Sequence, residues 1–139
     1  MLPDLLAEIN RQGGYETGEG PAPVVSLELF FEGNDDLASI GCNLIDHPGL
    51  PHFFTVLRNL RDRAEVHDVW VGISDVLPDP EWPFSDYVYV ITSASAAQVQ
   101  NWVASLQPDE PLSGWWNELP PAQEVSIPAG MRLVTLWWD

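Results

Sequence analysis

Residues 69–106 read VWVGISDVLPDPEWPFSDYVYVITSASAAQVQNWVASL, and this stretch decides the fold. Val69, Val71 and Ile73 alternate with Trp70, Gly72 and Ser74, the period of a strand, and Tyr87 to Thr92 is rich in β-branched and aromatic residues. Two strands are therefore expected, joined by a loop that Pro78, Pro80 and Pro83 stiffen and that carries Asp79, Glu81 and Trp82. Ser95 followed three residues later by Gln98 has the spacing of a capping box. Behind it, Val99, Trp102, Val103 and Leu106 fall on one helical face, so the stretch reads as a β-β-α unit.

Working upstream, Phe53, Val56, Leu57 and Leu60 recur at helical spacing, and Pro51 suits a first turn, so residues 51–63 are expected to be helical. Before them, Val25, Leu27, Leu29 and Phe31 alternate with Ser26, Glu28, Phe30 and Glu32. That period predicts a strand, Gly33 to Asp36 a turn, and Ala38, Ile40, Cys42 and Leu44 a second strand closing a hairpin. Leu2 to Arg11 suits a short helix with Leu5, Leu6 and Ile9 together, followed by a Gly/Glu/Pro-rich arm up to Pro23. Downstream of Leu106 runs an irregular, proline-rich stretch, with a short extended piece expected at 124–127 and a final strand at 131–138.

The order α-ββα-ββα-β predicts an α+β two-layer sandwich, an antiparallel sheet of about five strands with two main helices on one face. From the second strand onward the order also matches β-α-β-β-α-β, so a ferredoxin-like variant is the alternative topology. One α+β domain is expected over 1–139: helix and arm in 1–23, a ββαββα core in 24–107, and a proline- and Trp-rich loop with the final strand in 108–139.

The composition sets bounds on function. There are 21 Asp and Glu against five Arg and no Lys, a formal net charge of −16. Such a surface repels nucleic acid and anionic membranes, so neither is an expected partner, and it attracts and steers a basic one. Lacking lysine, the chain cannot form a Schiff base. One cysteine, Cys42, excludes a disulfide framework, and its phase with Ile40 and Leu44 predicts a buried, inert thiol. Met1 to Gln12 has no basic region leading into an apolar run, so no secretory signal is expected and the cytoplasm is the expected compartment.

No motif for catalysis, phosphate, dinucleotide or calcium is present, and no catalytic residue, metal or cofactor is expected. Two groups of residues remain. Glu81, Trp82, Asp109, Glu110, Trp115 and Trp116 set large rigid rings among carboxylates in irregular loops, the chemistry of a docking surface for a cationic partner. Against this, such rings also anchor loops to a sheet. Asp46, His47 and His52 flank a Pro-Gly-Leu-Pro turn and form the alternative, a loop pocket for a small ligand or for catalysis. Trp137 and Trp138, adjacent on a strand, must point to opposite faces.

In size, charge and general class, though in no motif, the chain resembles bacterial immunity proteins, which cover the cationic site of a toxin. The expectation is a non-enzymatic, acidic domain that binds a basic protein. Assembly, as a homo-oligomer, through a sheet edge or a Trp-rich surface is the third reading.

Overall fold

A computed structural model describes residues 1–16, 19–77 and 81–139. Its elements are α1 (Leu2–Arg11), β1 (Val24–Val25), α2 (Leu27–Phe31), α3 (Leu50–Arg61), β2 (Val66–Gly72), β3 (Tyr87–Thr92), α4 (Ala96–Trp102), β4 (Leu112–Ser113) and β5 (Arg132–Trp137), with 3-10 turns at Leu37–Ser39, Ala104–Leu106 and Trp116–Glu118. The five strands lie in the order β1-β2-β3-β5-β4, and every ladder between them is antiparallel. The α+β sandwich is thus present. Its ferredoxin-like variant is not: there the two strands that a helix connects run parallel with a third strand between them, whereas here β3 and β5, connected through α4, are antiparallel neighbours.

The β-β-α unit at 66–106 forms as its residues dictate. Ser95 accepts a hydrogen bond from the Gln98 amide while the Gln98 side chain returns to the Ser95 amide, closing the capping box at the start of α4. Helix α3 begins with Pro51 in its first turn and buries Leu50, Phe53, Leu57 and Leu60.

The hairpin expected over 24–44 is absent. After the two residues of β1, the Ser26 hydroxyl accepts the Leu29 amide at 3.1 Å, and the chain turns into α2 with Leu27, Phe30 and Phe31 buried. Leu27 and Phe31 fit both periods. Phe30, apolar where a strand's solvent face should be polar, and a serine ready to cap decide for the helix.

The second expected strand gives way to the turn at 37–39, capped by the Asp36 carboxylate on the Ala38 amide. A single bridge from Ile40 to Ser85 follows. At Gly41, φ is +64°, and the chain then reverses, which breaks the alternation. Ile40 is buried while Cys42 is exposed, so the expectation of a buried thiol is overturned. No strand forms at 124–127 either, although Val125 packs on the sheet.

The sheet has two differently covered faces. Val25, Val69, Val71, Val88, Val90, Val134 and Leu136 point toward the helices and join Leu5, Phe30, Phe53 and Leu57 in the main core. Val24, Trp70, Tyr87, Tyr89, Leu133 and Trp137 point the other way, and Trp115, Trp116 and Val125 of the irregular 107–131 segment cover them. Every residue of β3 is consequently buried. Trp138 lies in the helix-side core, its indole N–H donating to the Leu106 carbonyl at 2.7 Å. Trp137 lies on the opposite face, donating to the Glu110 carbonyl at 2.8 Å.

Candidate functional site

The six residues singled out for docking divide between the two layers. Trp82 is 7% exposed and donates its indole N–H to the Phe30 carbonyl at 2.9 Å, which anchors it in the helix-side core; Pro78, Asp79 and Pro80 lie outside the described residues. Glu81, beside it, is exposed. Trp115 and Trp116 lie on the far face of the sheet, half-buried against Tyr89 and Tyr87. Asp109 and Glu110 belong to the same irregular layer. The Asp109 carboxylate accepts the Asp139 amide, and the Glu110 carbonyl holds Trp137, whose ring lies 5.9 Å from that of Trp116. Asp109, Glu110 and Trp116 are thus neighbours through Trp137, and Trp115 packs on Tyr89 in the same layer, while Glu81 and Trp82 lie apart from them.

Asp46, His47 and His52 do not converge. The Gly49 amide donates to His47 Nδ1 at 2.9 Å, which leaves Nε2 to carry the proton donated to the Ile40 carbonyl at 2.7 Å. Both ring nitrogens therefore staple the 40–49 turn, and neither is available as a base for Cys42. His52 is exposed and pairs with the Ser105 hydroxyl, and the Asp46 carbonyl accepts from Gln107. Among the described residues no group of three His, Cys, Asp or Glu is placed to hold a metal.

Among the described residues a more enclosed concavity lies elsewhere, between Tyr15, Gly20 and Ala22 on one side and the segment 116–121 on the other, over the far face of the sheet. It is a cleft of about 190 Å³ lined by Tyr15, Asp86, Tyr87, Tyr89 and Trp116, with Ile73, Ser74, Asn117, Leu119 and Pro121. Its floor is rigid. Tyr87 and Tyr89 are 2% and 1% exposed, with ring centroids 5.2 Å apart. Trp116 stacks on Tyr87 at 4.9 Å with planes 13° apart.

Beside the cleft, two side-chain hydrogen bonds add to the β4–β5 ladder in fixing the covering segment to the sheet. The Trp116 amide donates to the Tyr89 hydroxyl at 2.9 Å, and the Thr135 hydroxyl donates to the Gly114 carbonyl at 2.7 Å. A third, from the Ala122 amide to the Ala22 carbonyl, joins the two segments that flank the cleft. Since loop backbone rarely orders itself, these bonds and the stacked rings are what give the cleft a defined shape.

The electrostatics favour cations. Burial pushes the Tyr87 hydroxyl well above its ordinary value, and the neighbouring Tyr89 and Tyr15 add to the shift, with Asp86 contributing least. Burial also raises Tyr89, partly offset by the hydrogen bond from the Trp116 amide. Both phenols are therefore neutral, and Asp86, half-buried and in none of the ion pairs among the described residues, is the charged group of the cleft. Tyr15 also lines a shallower groove with Glu16 and Glu19, so further carboxylates adjoin the cleft.

Tyr15, Asp86, Tyr87 and Tyr89 are missed by a reading that looks for catalytic motifs. The available signal is the run Tyr-Val-Tyr-Val at 87–90, apolar at every position. Such a strand is covered on both faces, and whatever covers the tyrosine face must come from outside the helices.

The chain belongs to the Uncharacterized protein YfbO family, whose sequence profile matches residues 2–136. It is similar to the protein described as Uncharacterized protein YfbO of Escherichia coli (strain K12), with 39% identity over 132 residues that cover 94% of this chain and 93% of that one. No solved structure matches. Among the described residues no helix is long and apolar enough to cross a membrane.

Proposed function

We propose that this member of the YfbO family is a non-enzymatic, acidic binding module for a basic protein partner. The observation that carries the reading is a carboxylate surplus without internal counter-charge. Of the five arginines, Arg11 and Arg61 are closed on Glu8 and Glu28. Arg58 and Arg63 lie against the rings of Phe54 and Trp102, 4.7 and 4.0 Å from the ring centres. A field of this sign accelerates encounter with a basic protein and weakens with salt. Masking the cationic site of a toxin, as immunity proteins do, is one relation of this kind, with the cytoplasm as its setting.

Affinity capture from the source-cell lysate at low and high salt, with mass spectrometry of what is held, tests the reading. One basic protein retained in stoichiometric amount at low salt, and weakened at high salt, is the expected result. Retention of no specific protein, or of one indifferent to salt, counts against it.

A further inference from the structure

The cleft over Tyr87 and Tyr89 has the size and chemistry of a receptor for one side chain. At about 190 Å³ it falls below the roughly 300–1,000 Å³ of pockets that take drug-sized ligands. It joins aromatic surface to one half-buried carboxylate, and removal from bulk water strengthens the pull of that carboxylate on a cation. Through Tyr15 it adjoins the groove that Glu16 and Glu19 line, where neighbouring positive charges of an extended segment would find partners. An isolated small cation would use the cleft alone; a basic polypeptide uses both.

We propose that the cleft receives a single arginine side chain of a basic protein segment, with the guanidinium on the Asp86 carboxylate and against the rings of Tyr15 and Trp116. This rests on the basic-partner reading and names its anchoring contact. Arginine fits better than lysine because its planar head both stacks on an aromatic face and forks onto a carboxylate. Trp116 is already held by its stacking on Tyr87 and by its amide bond to the Tyr89 hydroxyl, so little freedom is lost on binding. Ring faces attract the cation and the neutral phenols beneath do not compete for it, which leaves Asp86 as the residue whose charge decides.

The test uses the full chain and three short peptides of identical sequence carrying arginine, citrulline or lysine at the central position. Binding is read by calorimetry and by NMR at the Trp116 indole. Arginine is expected to bind about tenfold tighter than citrulline, with the Trp116 indole signal shifted, and Asp86→Asn to remove that preference. The comparison of peptides on the unaltered protein needs no variant, and thermal unfolding of Asp86→Asn checks that it folds. Equal binding of arginine and citrulline, or unchanged binding by Asp86→Asn, overturns the cleft while leaving the basic-partner reading in place. A lysine peptide as tight as the arginine one overturns the choice of side chain. If neither the peptides nor polylysine bind at low salt, both readings fall.

Discussion

The ring of Tyr87 lies directly against Gly72 on the neighbouring strand, in the space a side chain at position 72 would need. A β-carbon added there would overlap the ring, which cannot retreat because Trp116 is stacked on Tyr87. Gly72→Ala is therefore expected to destabilise the protein by about 1–3 kcal/mol or more, read from the midpoint of denaturant unfolding. Combining it with Tyr87→Ala should recover part of the loss, since the two positions conflict only with each other. Simple additivity of the two costs would show that the contact is not the cause.

The ion pair between Glu28 and Arg61 ties α2 to α3 through two bonds of 2.7 and 2.6 Å. The Arg61 hydrogen bonds hold the Glu28 carboxyl below its usual value of 4.5, against an opposing effect of burial. A lowered carboxyl stabilises the fold above its unfolded value and loses that contribution as pH falls through the folded one. Stability should thus decline below about pH 4.5, and Glu28→Gln should flatten part of that decline while costing about 1 kcal/mol at neutral pH. An unchanged acid limb in the variant would assign the decline to other carboxylates.

His47 closes the 40–49 turn with both ring nitrogens. His47→Ala removes the partner of the Gly49 amide and of the Ile40 carbonyl, for an expected loss of about 1–2 kcal/mol. Faster hydrogen exchange at the Gly49 amide is the specific readout. If that exchange rate is unchanged, the staple is not what holds the turn.

Trp82→Phe should separate anchoring from binding. It keeps most of the ring and deletes the bond to the Phe30 carbonyl, so unfolding should come about 1 kcal/mol more easily. Affinity for the arginine peptide should be the same as in the unaltered chain. A loss of affinity without a loss of stability would return Trp82 to the docking surface.

Exposed Cys42 should react with a thiol reagent in the folded protein, to one equivalent and without denaturant. Protection until unfolding would restore the buried thiol that its spacing first suggested.

The strand and helix periods at 66–72, 87–92 and 96–106 are legible in the sequence because tertiary packing agrees with local pattern there. At 24–44 the two disagree. Leu27 and Phe31 satisfy periods of two and of 3.6 alike, and only the Ser26 cap and the burial of Phe30 separate them. The exposure of Cys42 follows from one event, the reversal at Gly41, that no periodicity records. The cleft was half legible. Trp116 stood out by residue type, while Asp86 and Tyr15 are ordinary in sequence and acquire meaning from the segments that meet over β3.

The central strand β3 pairs with β5 only after residues 93–131 have been looped out between them. Closing a loop of that length before its contacts form slows folding relative to local pairing. Without β5 the edge of Tyr87 to Thr92 that faces away from β2 has no partner, and an open apolar edge is the kind that joins to its like on other chains. A net charge of −16 acts at that stage too, since each unfinished chain repels the next. The same acidity thus opposes self-association of an incompletely paired sheet.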